Sequence, residues 1–314
     1  MDQNNQKAVI NRREFLEQSA RLAASAAVLS LSTSKLLAIP SKTGKAIVPH
    51  VTLNNGVKMP IVGSGTLSIN GPTGEKCIAD AISLGFRLLD TATVYGNEEA
   101  VGAGIRLSGI DRKELFVTSK VWVEDSGYER AKKAFETSLN KLGLDYLDLY
   151  LIHRPRGDVQ GSWKAMEDLY REGKIKAIGV SNFSAEQLND LIRNNKIKPA
   201  VNQIETHAYF QQPEMYKVIK KHGIQMEAWS PFAQGRNELF TNPTLAAIGK
   251  KYNKSTAQVS LRWHYQRGIV TIPRSSQVAH MKENLNIFDF KLSRADMKAI
   301  AKLDKNITQF PEWE

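Results

Sequence analysis

Residues 88–102 read LLDTATVYGNEEAVG. An apolar pair, Leu88 and Leu89, ends on Asp90, and Tyr95 follows on what reads as a loop. Glu98 and Glu99 then open a segment with helical spacing, at the end where a helix dipole favours carboxylates. A short strand that stops on a polar residue and runs through a loop into a helix is one βα unit. The same theme recurs along the chain. Apolar, β-branched runs at 61–65 (IVGSG), 87–90 (RLLD), 115–120 (LFVTSK), 146–153 (YLDLYLIH), 175–181 (IKAIGVS), 200–205 (AVNQIE), 225–230 (QMEAWS) and 269–274 (IVTIPR) alternate with helical patterns. Alternation of this kind predicts an α/β fold with a parallel sheet.

The region that holds the eight runs, residues 51–314, is close to the ~250 residues usual for an eight-stranded parallel (β/α)8 TIM barrel. Ahead of them, VTLNNGVKMP (51–60) carries an Asn-Gly turn between two short alternating stretches, which predicts a hairpin capping the lower end of the barrel. No Gly/Ser linker or shift of composition divides the region, so residues 46–314 are expected to form one barrel domain, able to work as a monomer.

Composition narrows the function. The chain has 314 residues, 42% of them hydrophobic, enough for a substantial core. Its net charge of +11 is partly carried by the first 46 residues and otherwise spread without a dense Lys/Arg block. That distribution fits a solvated surface rather than nucleic-acid binding, while still favouring anionic ligands. The single cysteine, Cys77, excludes an internal disulfide and reads as a small buried residue in a helix.

Residues 1–45 differ from the rest. NRREFLEQSARLAASAAVLSLS (11–32) places Arg12 and Arg13 ahead of Phe15 and Leu16, then a mildly apolar stretch from Leu22 to Leu31. That stretch is too short to span ~30 Å of hydrocarbon, so no stable transmembrane segment is expected. The pattern resembles a twin-arginine export signal, which implies the twin-arginine export machinery as a partner and a periplasmic or exported destination. The other reading is a basic amphipathic helix resting on the protein, in which case the protein stays cytoplasmic.

In such barrels the chemistry sits where strands end and βα loops begin. The predicted ends are Gly65-Thr66, Asp90 with Tyr95, Lys120, His153, Ser181-Asn182, Asn202-Gln203, Trp229-Ser230 and Arg274-Ser275. Asp90, Tyr95, Lys120 and His153 come from three successive ends and can converge. An ammonium ~4 Å from a phenolate stabilises it by about 4 kcal/mol at an effective dielectric of ~20, before desolvation is subtracted, and so makes the phenol a better proton donor. Lys120 supplies such a charge, Asp90 holds it in place, and His153 can donate a hydrogen bond to a carbonyl oxygen. The set suits protonation of a carbonyl oxygen while a nucleophile attacks its carbon. Taken singly, each has a plainer role: a loop cap, a rim aromatic, a solvated lysine, a core histidine.

The chain resembles the aldo-keto reductase family. LLDTATVYGNEEAVG is similar to the family's first signature, LYLIHRP to its histidine strand, IGVSNFS and VNQIETH to its middle motifs, and IPRSSQVAHMKENLNIFDFKLS to its C-terminal cofactor signature. The similarity spans roughly residues 50–305. QMEAWSPFAQGRNELF is similar to the prokaryotic diketogluconate reductase-like members. The resemblance implies NAD(P)H-dependent reduction of an aldehyde or ketone, with Tyr95 as proton donor, Lys120 and Asp90 as its supporting pair, and His153 orienting the substrate carbonyl. It assigns Ser181, Asn182 and Gln203 to the nicotinamide carboxamide and Trp229 to the nicotinamide ring. Ser230, Phe232 and Gln234 belong to a loop over the pyrophosphate, and Gly65 and Thr66 join the cofactor set. Arg274, Ser275 and Ser276 meet the adenosine phosphate, with His280, Glu283 and Asn284 around the adenine.

This chain departs from the family at two places. Relatives usually carry lysine at Arg274 and arginine at His280, the pair that reads the 2′-phosphate. Arg274 keeps its charge, and His280 is mostly neutral at pH 7, so NADP(H) is expected with NAD(H) use open. Arg154 and Leu67 stand where tryptophan is common, which predicts a less aromatic, more cationic pocket for carbonyls bearing a carboxylate or phosphate. Alternatively Arg154 turns outward and pairs with Asp158. Two rival functions are open to such a barrel. A non-catalytic cofactor-binding subunit would lack Tyr95 or Lys120. A metal-dependent hydrolase would need ligands on neighbouring strand ends, and His207 sits in no metal-binding motif, so no metal is expected.

Overall fold

The computed structural model describes residues 48–313, so the expected leader lies outside the described residues. The chain enters through a hairpin, β1 (His50–Thr52) and β2 (Lys58–Pro60), paired antiparallel with Val51 opposite Met59. Its turn is pinned across the bottom of the barrel: Asn54 Nδ2 donates to Pro199 O at 2.8 Å and Asn55 Nδ2 to Lys176 O at 2.9 Å. Met59 is fully buried beneath the sheet.

Eight parallel strands follow, paired in chain order. They are β3 (Ser64–Gly65), β4 (Leu88–Asp90), β5 (Phe116–Val121), β6 (Leu149–Ile152), β7 (Ile178–Ser181), β8 (Val201–Glu205), β9 (Gln225–Trp229) and β10 (Val270–Thr271). Each matches one run expected from sequence. A parallel bridge from Val62 to Thr271, with Gly63 N–H donating to Thr271 O at 2.8 Å and Thr271 N–H to Ile61 O at 3.0 Å, closes the sheet into a (β/α)8 barrel. The outermost strands are shorter than their runs. At β10 Pro273 has no N–H to extend the ladder, although its carbonyl still accepts from Gly65 N–H at 3.2 Å.

Helices wrap the outside: α1 (Gly71–Leu84), α2 (Glu98–Ser108), α3 (Tyr128–Leu142), α4 (Val159–Arg171), α5 (Ala185–Asn194), α6 (Pro213–His222), α7 (Pro243–Tyr252), α8 (Thr256–Gln266), α9 (Val278–Leu285) and α10 (Arg294–Ala301). Ser184, Ser255 and Ser293 open α5, α8 and α10 with reciprocal capping boxes, which satisfy the first free N–H groups. α2 is wedged between its neighbours by two glycines. A Cβ on Gly102 would lie 2.1 Å from Leu142 O of α3, and one on Gly104 would lie 2.5 Å from Ile78 Cβ of α1. Cys77 is buried in α1, and its burial pushes the thiol pKa up. Among the described residues no helix is long and apolar enough to cross a membrane.

Candidate active site

The strand order brings Asp90, Lys120 and His153 to one rim, because β4, β5 and β6 are neighbours. Lys120, fully buried, donates from Nζ to Asp90 Oδ1 at 2.6 Å and to Thr91 O at 2.9 Å. Tyr95 ends a single 3-10 turn, Thr93–Tyr95, which Thr93 Oγ1 ties to Lys120 O at 3.0 Å. Nζ of Lys120 lies 5.1 Å from the centroid of the Tyr95 ring, and that ring meets His153 edge-on at 5.8 Å. The four residues expected to converge therefore do so.

Their protonation follows from competing causes. Burial raises the Tyr95 pKa and outweighs the opposing charge and hydrogen bond of Lys120, so the phenol is held more firmly protonated than the sequence-based electrostatics implied. For Lys120, burial pulls downward but the Asp90 carboxylate wins, and the ammonium is kept charged. His153 is driven well below the usual imidazole range by burial, with Lys120 and Arg154 adding to it. The site thus offers a neutral phenol, a fixed cation behind it and a neutral imidazole.

Sequence reasoning missed two members of this neighbourhood. Trp122 packs edge-on against His153 at 4.9 Å and forms one apolar cluster with Leu67 and Tyr95. It lies two residues beyond Lys120, and strand alternation puts both on one face, which was the available signal. Glu227 is the other. Its strand, QMEAW, was read only as an apolar run, yet the same alternation turns Gln225, Glu227 and Trp229 toward the barrel interior. Gln203 Nε2 donates to Asp90 Oδ2 at 2.8 Å and to Glu227 Oε2 at 2.9 Å, inside the barrel.

The expected cofactor residues form an arc around this centre. Ser181 is buried and donates to Gln203 O at 2.9 Å. Asn182, in a left-handed conformation at φ 63°, donates to His153 O and Ser181 Oγ and accepts from Trp229 Nε1 at 2.8 Å. Ser230, Ala233 and Gln234 also have positive φ, a run of costly backbone in the loop that carries Phe232. Gly65 closely approaches the residue after β10, since a Cβ there would meet Ile272 O at 2.8 Å, and Thr66 is fully buried with its hydroxyl on Asp90 O. Arg274 reaches back across the rim to Leu67 O and Ser68 O, while Ser275, Ser276 and His280 stand at the surface nearby. Asn284 is buried, and the Glu283 carboxylate accepts from Ser255 at the start of α8. A hydroxyl, two amides and an indole beside a neutral imidazole suit a flat, amide-bearing ring, and an exposed guanidinium suits a phosphate. The donor set thus fits a nicotinamide dinucleotide.

Arg154, directly after His153, lines a cavity of about 600 Å³ with Arg156, Met215, Trp229, Phe310 and Trp313. Its charge acts on both Tyr95 and His153. Asp158, the partner offered by the alternative reading, caps α4 by accepting from Gly161 N–H at 2.7 Å. The pocket is not short of aromatic surface either. The C-terminal segment brings Phe310 and Trp313, stacked at 4.8 Å, against the Trp229 ring at 5.2 and 5.6 Å. Arg236 binds Glu312 and the carbonyl of Gln309, and Glu205 accepts from Thr308 and Gln309, so the segment is strapped across the mouth. His207 pairs with Glu205 at 2.8 Å in the core, and among the described residues no cluster of three or more His, Cys, Asp or Glu side chains is placed to hold a metal ion.

Comparison with known proteins adds an independent line. The model of the aldo/keto reductase family matches residues 61–305. The glyoxal reductase of Bacillus subtilis (strain 168) is 51% identical over 258 residues, covering 82% of this chain and 93% of that protein. An aldo/keto reductase from Brucella melitensis superimposes with a TM-score of 0.79 at 47% identity, covering 82% of this chain and 100% of that one. A Bombyx mori aldo-keto reductase in complex with NADP gives a TM-score of 0.79 at 35% identity, covering 83% of this chain and 94% of that one. On the matching barrel, the convergent tetrad and this similarity, the chain belongs to the aldo/keto reductase family and is an NAD(P)H-dependent oxidoreductase acting on carbonyl groups.

Proposed function

We propose that the protein reduces an aldehyde or ketone bearing a carboxylate or phosphate to the alcohol, with NADP(H) as cofactor and Tyr95 as proton donor. The observation that carries this is the Asp90–Lys120 pair, 2.6 Å apart and buried behind the Tyr95 ring. Bound cofactor supplies the hydride that adds to the carbonyl carbon. His153, neutral, donates its one N–H to the carbonyl oxygen and holds it beside the phenol. Tyr95 gives its proton to that oxygen as negative charge develops there, and the Lys120 ammonium stabilises the phenolate left behind. Asp90 keeps Lys120 charged and stationary. Ser181, Asn182 and the Oε1 of Gln203 hold the carboxamide, and Trp229 offers a ring face. Arg274 takes an adenosine phosphate, which with the NADP bound by the Bombyx relative supports NADP(H).

Arg154 supports the anionic substrate class: a guanidinium beside the reacting centre orients a carboxylate or phosphate in a fixed geometry. The test compares kcat/KM for a keto acid and its neutral ester in wild type, Arg154→Ala and Tyr95→Phe, following NADPH absorbance. Arg154→Ala should lose at least about tenfold on the acid alone, since a charged hydrogen bond is worth ~1.5–3 kcal/mol. Tyr95→Phe should lose about 10²- to 10⁴-fold on both. Equal losses for acid and ester in Arg154→Ala would discard the substrate class, and a Tyr95→Phe enzyme that keeps its rate to within about tenfold of wild type would discard the proton donor.

The Arg12-Arg13 leader supports export of the folded enzyme through the twin-arginine route, with residues 46–314 as a monomeric catalytic unit. Fractionation of cells expressing wild type and a double variant, Arg12→Lys with Arg13→Lys, checks it. An unchanged distribution would favour a cytoplasmic enzyme.

A further inference from the structure

A second carboxyl group lies under the reactive centre with no role in the chemistry described so far. Glu227 is completely buried, and its Oε1 has no hydrogen-bond partner among the described residues. Its Oε2 accepts from Gln203, whose other amide hydrogen goes to Asp90, which in turn holds Lys120. One amide nitrogen therefore bridges two carboxyl groups. That arrangement fixes the orientation of the Gln203 side chain, because an amide oxygen turned toward the Asp90 carboxylate would be repelled. It leaves Oε1 of Gln203 as the atom able to receive a further donor.

The charges in this buried patch decide the protonation of Glu227. Facing it are Asp90 from β4, Lys120 from β5 and Gln203 from β8, while β10 sets only Val270 opposite it in register. Two ionised carboxylates and one ammonium would leave a net negative charge in the buried interior, at a cost of several kcal/mol. Asp90 has direct contact with Lys120, so the proton belongs on Glu227. Burial and the Asp90 charge together push its pKa up to about 8. Lys120 in turn feels Glu227, whose ionised form would favour the ammonium.

We propose that Glu227 is a positioning residue for the carbonyl reduction, clamping Gln203 in the orientation that offers Oε1 to the nicotinamide amide and keeping the patch beneath Lys120 and Tyr95 electrically balanced. This rests on the assignment of Tyr95 as the acid. When Glu227 loses its proton, added negative charge under Lys120 makes the phenolate harder to form, and Gln203 is drawn between two anions. Reduction then slows in the ionised form although Tyr95 is still protonated.

Two measurements test this on the full chain. The first is the pH profile of kcat for wild type, Glu227→Gln and Glu227→Ala. Wild type should lose rate above about pH 8, up to tenfold per pH unit, the slope of one ionisation. Glu227→Gln keeps the hydrogen bond but not the proton, so that alkaline limb should vanish. Glu227→Ala should be slower throughout and recover in part in the Gln variant. The second needs no turnover: in cofactor-free wild type, the infrared band of a protonated buried carboxylic acid should disappear as pH rises through about 8, and be missing from Glu227→Gln. Profiles of one shape in wild type and Glu227→Gln, or no such band in wild type, overturn the proposal. If instead Tyr95→Phe remains active, the assignment beneath it fails, and the infrared result still stands or falls alone.

Discussion

The ammonium of Lys120 acts on two neighbours at once: it neutralises Asp90, and it makes the Tyr95 phenolate easier to form. The two effects separate in a variant series. Lys120→Met leaves Asp90 buried without a counter-charge and should cost about 3–5 kcal/mol of stability, the range for breaking a buried pair. It should also lower kcat by at least about 100-fold, because burial and the Asp90 charge, which both oppose the phenolate, would then outweigh the smaller effect of Arg154. Adding Asp90→Asn should return much of the stability and none of the rate, as read by calorimetry and by NADPH consumption. A double variant that recovers rate would mean the charge is not needed. Asp90, Lys120 and His153 were legible in sequence because each is a polar residue closing an apolar run. Trp122 and Glu227 were not, since each sits inside or beside a run whose hydrophobicity was read as a whole and whose alternation was not resolved position by position.

Helix α2 shows how the barrel's outer layer feeds the site. Its first turn carries Glu98, which accepts from Ser119 of β5 at 2.6 Å, so the helix is anchored to the residue before Lys120. Sequence suggested only that Glu98 complements the helix dipole. At its middle, Gly102 lets α2 lie against the end of α3, and a methyl group there would collide with backbone that has no rotamer through which to yield. Gly102→Ala should destabilise by about 1–3 kcal/mol, the usual cost of overpacking, despite alanine's better helix propensity. Thermal unfolding of the variant checks the sign, and a rise in Tm would contradict the close packing. The hairpin turn was readable from its Asn-Gly pair. The strap of residues 308–313 was not, because its partners Glu205, Trp229 and Arg236 lie far away in sequence and no periodicity links them.

For the molecule as a whole, the buried titratable groups set opposite limits on stability. His264 is held at about 3, chiefly by burial, and His153 is also driven far down. Their unfolded value is ~6.5, so their contribution is complete above that pH and is lost as pH falls below it. Glu227 has the reverse sign. Its folded value of about 8 exceeds the ~4.3 of an unfolded glutamate, so its contribution declines as pH rises between the two. Together they place the stability maximum near about pH 6.5 in cofactor-free protein. A Tm that keeps climbing from about pH 6.5 to about pH 8 would contradict this.

The barrel closes by joining Val62 to Thr271, and the mouth is roofed by Phe310 and Trp313 from the last residues described. The site is thus written into both flanks of the barrel's sequence. A chain whose synthesis stops short of residue 308 would hold most of a barrel yet leave the face of Trp229 bare and Arg236 without its tether. Only a polypeptide that carries the strap presents a complete mouth, and a fusion partner joined directly after Trp313 would sit beside the cavity that Trp313 lines.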